Sequence, residues 1–261
     1  VAKNQRSKLA TRLKVFITGA SSGLGAALAH HYGMQGAQLG LLGRKADALA
    51  AVANGLDAHT YLADVRDATA MQAAASEFLN EVGPPDIVIA AAGISVGTLT
   101  EEAADAEVFR AVMDANVLGL VHTFAPFISS ILPGGVLCGI GSVAGVRGLP
   151  GGSAYSASKA AATVYLEALR LELKSRGIAV VTVAPGYIAT PMTEVNPYPM
   201  PFKMSAAVAA GKVARCIARR RPHTVIPWQM AGVAQMLKWL PIRVYDALFE
   251  NAPRKPRGLP T

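Results

Sequence analysis

A short apolar strand that runs straight into a glycine turn and then into an alanine-rich helix is the feature that most limits what this chain can fold into. Leu13-Lys-Val-Phe-Ile-Thr18 reads as the strand, Gly19-Ala-Ser-Ser-Gly23-Leu-Gly25 as the turn, and the residues to about Gln35 as the helix. Glycines at these positions let the backbone turn tightly, approach a pyrophosphate and bring the helix close to a sheet. The first N–H groups of the helix have no internal partner and suit negative charge. Ser21, Ser22 and Leu24 line the same turn. The spacing is Gly-x-x-x-Gly-x-Gly, not the commoner Gly-x-Gly-x-x-Gly, so the pattern alone leaves a purely structural turn open. Its place after the first strand favours the phosphate reading.

The remainder of the chain repeats the alternation. Apolar segments at 13–18, 37–42, 58–62, 86–91, 135–141, 178–184 and 223–227 read as strands, with helical stretches between them. That alternation predicts an α/β, Rossmann-type doubly wound sheet of about seven parallel strands flanked by helices. With 261 residues, 52% of them hydrophobic, the chain can bury one large core, and a single domain over 1–261 is expected. Its core would span about 10–227, followed by a helical extension over 228–261. Cys138 and Cys216 have neither metal-ligand spacing nor a disulfide framework, so they read as small buried residues of a reducing, cytoplasmic compartment.

Chemistry is first suggested by Tyr155 and Lys159, which a helix would set on one face. A phenol with a reference pKa near ~10 is a poor acid at neutral pH, and a nearby cation favours its phenolate. Tyr155 is thus a candidate proton donor activated by Lys159. Ser142 closes Val136-Leu-Cys-Gly-Ile-Gly-Ser142, and its hydroxyl should emerge at the carboxyl end of a strand, where it could hold a carbonyl oxygen. Each feature taken alone has a plain structural explanation: a common helical pair, a turn serine.

Together, Thr18-Gly-Ala-Ser-Ser-Gly-Leu-Gly25, Asn116, Ser142, Tyr155, Lys159 and Pro185-Gly186 resemble the single-domain short-chain dehydrogenase/reductase family, in its order and spacing. The resemblance implies reversible hydride transfer between a nicotinamide and a carbonyl or secondary alcohol, with Asn116, Ser142, Tyr155 and Lys159 at the family's catalytic positions. It also implies that Lys159 grips the nicotinamide ribose, and that Asn116 kinks a helix and holds a water. Asp64 and Val65 match the family's adenine contact. Pro185, Gly186, Ile188 and Thr190 match the segment that holds the carboxamide. Ala90-Ala-Ala-Gly93 stands where the family carries Asn-Ala-Gly, so Ala91, Ala92 and Gly93 would lie under the cofactor without that asparagine's side chain.

Which nicotinamide is used should depend on the end of the second strand, Gly43-Arg44-Lys45. An acidic residue there would accept from ribose hydroxyls and repel a 2′-phosphate, whereas arginine can pair with one. NADP(H) is therefore expected in preference to NAD(H), against the alternative that Arg44 is a solvated charge at a helix start. No metal-ligand pattern is present.

The C-terminal part departs from the pattern. Residues 203–261 hold 11 Lys or Arg against Asp246 and Glu250, a balance of +9, while residues 1–202 sum to −1. A substrate lid is expected over about 187–211, around Asn196-Pro-Tyr-Pro-Met-Pro-Phe202. Met192, Met200, Met204, Met230 and Met236 suit either an adaptable lipophilic pocket or an ordinary core. Beyond the last strand, an apolar, basic stretch with Trp228 and Trp239 replaces the short tail of many tetrameric relatives. It could pack in a homodimer or homotetramer, or lie peripherally on an anionic membrane; it is too broken to span one. The basic N-terminal residues Lys3, Arg6 and Lys8 lack a following apolar region of their own and do not read as a secretory signal. With 6% aromatic residues and no binding motif, nucleic acid is not an expected partner.

The leading reading is an NADP(H)-dependent oxidoreductase acting on a lipophilic carbonyl or alcohol, with 3-oxoacyl thioester reduction as one candidate. Sugar-nucleotide epimerases share Tyr-x-x-x-Lys but have a longer substrate domain. A catalytically silent nucleotide-binding scaffold on the same fold is the alternative, and it predicts cofactor binding without turnover.

Overall fold

The computed structural model describes residues 12–258. The strands β1 (Lys14–Thr18), β2 (Gln38–Gly43), β3 (Ala58–Leu62), β4 (Ile87–Ala90), β5 (Val136–Ile140) and β6 (Ala179–Pro185) all pair in parallel. Two short strands, β7 (Ile188–Ala189) and β8 (Met204–Ser205), form a separate ribbon, and β9 (His223–Ile226) completes the main sheet beside β6. The spatial order is β3-β2-β1-β4-β5-β6-β9. Each main strand lies within one residue of its predicted span; the β7–β8 ribbon was not anticipated.

The inner strands are mostly continuous apolar runs because both faces are covered, whereas the edge strands β3 and β9 carry exposed polar residues. On one face, α1 (Gly23–Gly33) packs with α8 (Ala206–Ala218) over Ile17, Leu39 and Val181. On the other, α3 (Ala68–Glu81), α5 (Gly119–Phe124) and α6 (Ser153–Glu172) cover Phe16, Val88 and Leu137. Phe16 is the hub of that second layer, with ring centroids 4.8 Å from Phe127 and 5.3 Å from Phe78. Helix starts are set by side chains: Asp67 accepts from the N–H groups of Thr69 and Ala70 ahead of α3, and Ser205 accepts from Val208 ahead of α8.

Reversal of strand order between β1 and β4 opens a crevice at the carboxyl edge, where sheets of this type bind ligands. Between α4 (Asp105–Met113) and α5, residues Asp114–Leu118 widen into a π-helical turn, and Asn116 sits in it. Such a widening bends a helix and redirects its side chains.

The extension folds as α9 (Trp228–Trp239) and α10 (Ile242–Phe249). Met230, Ala234 and Leu237 are buried, and the first two pack with Val143 just beyond β5. Arg147 locks the two helices to that loop: its Nη1 donates to the carbonyls of Leu237 and Leu240, each at 3.0 Å, and its guanidinium stacks 4.3 Å from the Tyr245 ring centroid. The inner face is therefore spent within the same chain, while Trp228 and Trp239 are each 77% exposed. Among the described residues, no helix is long and apolar enough to cross a membrane. Lys3, Arg6 and Lys8 lie outside the described residues.

Candidate active site

Strand order arranges the expected residues along the carboxyl edge. Asp64 and Val65 follow β3, Arg44 follows β2, and Gly19 to Gly25 follow β1. Ala91 to Gly93 follow β4, Ser142 follows β5, and Pro185 and Gly186 close β6. All of these line one cleft, together with Leu24, Tyr155, Lys159, Ile188 and Thr190. Asn116 stands behind the lining, against Gly93.

Close backbone contact explains the turn. Gly19 has φ +69°, and a Cβ on it would come within 2.7 Å of the Ala92 backbone; one on Gly25 would come within 2.1 Å of the Gly19 carbonyl oxygen. No L side chain fits either place, so the β1 turn lies directly on the segment after β4. Ser22 caps α1 in an extended conformation and makes no side-chain cap bond. The first-turn N–H groups of α1 thus border the cleft with its positive dipole end.

At the β2–β3 end, two guanidinium groups share one carboxylate. Arg66 donates to Asp64 Oδ2 from Nη2 at 2.6 Å and to Oδ1 from Nε at 3.1 Å, while Arg44 Nη1 stands 3.7 Å from Oδ2. The Arg66 hydrogen bonds, foremost, hold the Asp64 carboxyl below its ordinary range, and Arg44 adds to that. His122 Nδ1 bonds the Val65 carbonyl at 2.9 Å and steadies the neighbouring turn. Arg66 was missed in the sequence, although it stands two residues from Asp64.

At the β4–β5 end, Lys159 is 7% exposed, and its Nζ donates to the Ile140 carbonyl at 2.9 Å. Tyr155 lies on the same helical face, with the Lys159 Nζ 5.8 Å from its ring centroid. Burial dominates both groups: it raises the Tyr155 phenol above its usual range and brings Lys159 down to about 8. The expected acidification of Tyr155 by Lys159 is outweighed by burial, which comes first among the influences on the phenol. The ammonium is directed to a backbone carbonyl, and the group that pulls the phenol downward is the Ser142 hydroxyl. Ser142 also fills a turn role, accepting from the Ala144 N–H at 3.1 Å.

Asn116 ties these parts together. Its Oδ1 accepts from the Ile94 N–H at 2.8 Å, and its Nδ2 donates to the Ile94 carbonyl and to Ser158 Oγ, each at 2.9 Å. Ser158 Oγ in turn donates to the Tyr155 carbonyl at 2.8 Å.

On the β6 side, Thr190 caps the short helix α7 (Pro191–Glu194) in a reciprocal arrangement with Thr193. Tyr187 and Tyr198 place ring centroids 6.4 Å apart, and Tyr198 is close enough to Tyr155 that each phenolate would oppose the other. The methionines divide: Met192 lines the cleft, Met204 and Met230 are buried in apolar clusters, and Met236 is 56% exposed. The expected methionine pocket thus reduces to Met192 at the cleft and Met230 behind Gly186.

The short chain dehydrogenase family model matches residues 13–198. The chain belongs to this family. It is 35% identical over 242 residues to an uncharacterized oxidoreductase of Myxococcus xanthus, covering 88% of this chain and 94% of that protein. A short chain dehydrogenase from Burkholderia cenocepacia, solved in complex with NADP, superposes with a TM-score of 0.80 at 26% identity, covering 91% of this chain and 97% of that one. Another from Burkholderia phymatum, solved in complex with NAD, gives 0.78 at 23% identity over 95% and 98% of the chains.

This short chain dehydrogenase is an oxidoreductase whose fold binds a nicotinamide dinucleotide. Its cleft fits such a group. Free helix N–H groups and two guanidiniums border one part, hydroxyls and an ammonium the other, and a methyl on Gly23 would stand 3.3 Å from Thr190 and narrow the passage between them. Arg66, Ser158 and Ile94 were not singled out from the sequence, and Tyr198 was placed only as part of the expected lid. Only Arg66 carried a signal, a cation beside an expected adenine contact.

Because Asn116 supplies both partners of the Ile94 backbone, Asn116→Leu should strand a part-buried N–H and carbonyl and destabilise the protein by about 1–3 kcal/mol. Urea unfolding measures this, with Asn116→Asp, which keeps the acceptor and loses the donor, expected to fall in between. Unchanged stability in Asn116→Leu would refute the clamp.

Proposed function

We propose that this chain is an NADP(H)-dependent carbonyl reductase or secondary-alcohol dehydrogenase. The observation that carries this reading is the meeting of Ser142, Tyr155 and buried Lys159 in the same cleft as the glycine turn and the Arg44–Arg66 pair. A silent nucleotide-binding scaffold would have no use for a phenol and an ammonium held out of water at one spot.

In this reading, Gly19, Ser21, Ser22, Gly23, Leu24 and Gly25 would hold the pyrophosphate, Asp64 and Val65 the adenine, and Arg44 with Arg66 a ribose 2′-phosphate. Ala91, Ala92 and Gly93 would underlie the nicotinamide half, Lys159 would take its ribose hydroxyls, and Pro185, Gly186, Ile188 and Thr190 its carboxamide. When bound, that ring supplies or accepts the hydride. Ser142 donates a hydrogen bond to the carbonyl oxygen, and Tyr155 gives its phenol proton to that oxygen as negative charge gathers there. The carbonyl carbon would gain the hydride and its oxygen the Tyr155 proton, leaving the alcohol. Lys159, with its affinity for protons lowered by burial, can replace the Tyr155 proton near neutral pH. Asn116 is a positioning residue: its amide is engaged by Ile94 and Ser158, the latter holding the Tyr155 backbone.

The apolar lining given by Ile94 and Met192, with Tyr187 and Tyr198 nearby, supports a lipophilic substrate. Exposed Phe109, Leu118, Val164 and Leu171 on α4 to α6 support a homodimer or homotetramer, with the Trp228–Trp239 face as a second contact. Buried free Cys138 and Cys216 suit a cytoplasmic location.

Tyr155→Phe should lower turnover by about 10²–10⁴-fold while NADPH binding, followed by fluorescence, persists. The raised phenol pKa also sets the sign of the pH dependence. A proton held to higher pH keeps carbonyl reduction level through neutrality and lets it fall in alkali, whereas alcohol oxidation, which needs a base, should rise with pH. Opposite slopes would remove Tyr155 from the proton step. The pair Arg44→Ala and Arg66→Ala should lower the ratio of NADH to NADPH dissociation constants by about tenfold or more, as expected for lost charge-assisted bonds; a ratio unmoved in the double variant would sink the phosphate assignment. Light scattering should give twice or four times the chain mass of 27.1 kDa, and a monomer at micromolar concentration would refute the subunit contacts.

A further inference from the structure

The last described residues, Arg254 to Gly258, do not trail into solvent. They form a strap between the loop after β4, the loop ahead of α6, and α7. The Pro256 carbonyl accepts from the Gly97 N–H at 2.9 Å, and a Cβ on Gly97 would stand 2.2 Å from the Lys255 carbonyl oxygen, so this seat admits no side chain. Arg257 Nε donates to Asp105 Oδ2 at 2.8 Å, and its Nη1 lies 3.2 Å from Glu102. Asp105 is 6% exposed and also accepts from the Leu99 N–H at 2.7 Å. The strap is therefore anchored by a carboxylate that itself shapes the β4 loop.

Between these anchors, Lys255 reaches inward. Its Nζ donates to Ser95 Oγ at 3.0 Å and to the Met192 carbonyl at 3.1 Å. Ser95 adjoins Ile94, and both Ile94 and Met192 line the cleft, so the ammonium stands next to its lining. The contrast with Arg257 is informative. Arg257 meets two carboxylates, whereas among the described residues no carboxylate lies within ion-pair distance of Lys255; its contacts are neutral oxygens. A part-buried charge with only neutral partners bears a desolvation cost that a counter-ion would relieve. Burial accordingly brings the Lys255 ammonium down to about 8, which still leaves it charged at neutral pH.

We propose that the strap forms a specificity-determining wall of the substrate site and that Lys255 receives an anionic group, a carboxylate, sulfonate or phosphate, carried by the carbonyl substrate. This rests on the hydride-transfer reading above and narrows its substrate class: a lipophilic carbonyl compound with an acid group that the site reads through Lys255. The neutral contacts to Ser95 and Met192 hold the ammonium in place between the β4 loop and α7, and the anion supplies the charge they lack.

The test uses the full chain with and without NADPH and two kinds of probe. In calorimetric titration, unreactive pentanoate should bind about tenfold or more tighter than pentanamide, the scale of a charge-assisted hydrogen bond. Lys255→Met should bring that ratio near unity and Lys255→Arg should restore it. In turnover, levulinate should exceed its methyl ester in kcat/KM by a similar factor, again lost in Lys255→Met and kept in Lys255→Arg. A parent ratio near unity overturns the proposal without recourse to any variant, and so does a preference that survives in Lys255→Met, which would make Lys255 a latch for α7 only. Pentanoate binding through Lys255 without turnover of either ketone would sink the hydride-transfer reading and leave the anion site standing. Equal turnover of acid and ester would do the reverse.

Discussion

The double hydrogen bond between Asn116 and the backbone of Ile94 is the joint on which the geometry of the cleft depends. One side chain satisfies the N–H and carbonyl of a residue at the end of the central strand, as a neighbouring strand would, and so substitutes for sheet pairing where the sheet has stopped. The same amide reaches Ser158, and Ser158 holds the carbonyl of Tyr155. Three separate elements, the β4 loop, the widened helix and α6, are thereby put in register. A regular α-helix could not do this, because the π-helical turn at Asp114–Leu118 is what directs Asn116 toward Gly93 and Ile94. Gly93 completes the joint, since a Cβ there would meet Asn116 Oδ1 at 2.8 Å.

Burial, more than charge pairing, sets the chemistry of the two groups held by that joint. Low local dielectric penalises the ionised form of each, raising the phenol and lowering the ammonium, so Lys159 becomes the better proton donor of the two. A phenolate left at Tyr155 would therefore be reprotonated downhill from Lys159. The Ser142 hydroxyl pulls Tyr155 in the other direction. The simple picture of a lysine acidifying its tyrosine gives way to a pair whose tuning comes from exclusion of water and from the Ile140 carbonyl that fixes the lysine.

How much of this could be read in the chain follows from how local each signal is. The strands were legible because a parallel sheet covered on both faces requires unbroken apolar runs, and Val15, Phe16 and Ile17 or Val180 and Val181 admit no other use. The glycine turn was legible because steric exclusion acts within a few residues, and Ser142, Tyr155 and Lys159 because they stand in a recognisable order. The contacts made across the fold were not legible. Arg66 and Arg44 share Asp64 only after β2 and β3 pair. Tyr198, in the proline-rich segment, comes near enough to feel the Tyr155 charge only once the chain is folded. Nothing in residues 254–257 announces a strap, since its seat at Gly97 lies more than a hundred residues earlier. The helix α9 was read as a helix, but that its inner face would cover Val143 depended on Arg147 seizing the carbonyls of Leu237 and Leu240.

The positive charge of the basic C-terminal third is put to more than one structural use. A surplus of +9 over residues 203–261 suggests an electrostatic surface when read as a number, but the structure spends several of those cations internally. Arg257 is tied to Asp105 and Glu102, Lys255 to Ser95 and Met192, Arg220 to the Gly134 carbonyl, and Arg215 to Gly211 in its own helix. Arg220 and Arg257 hold elements that are far apart in sequence, so they act as fasteners between the C-terminal third and the sheet. Lys203, Lys212, Arg219, Arg221, Lys238, Arg243 and Arg254 leave the rest of the surplus exposed or partly exposed. For the proposed anion recognition, the part of the surplus that counts is the part-buried Lys255 ammonium beside the cleft lining, since one charge partly removed from water interacts more strongly than one in water.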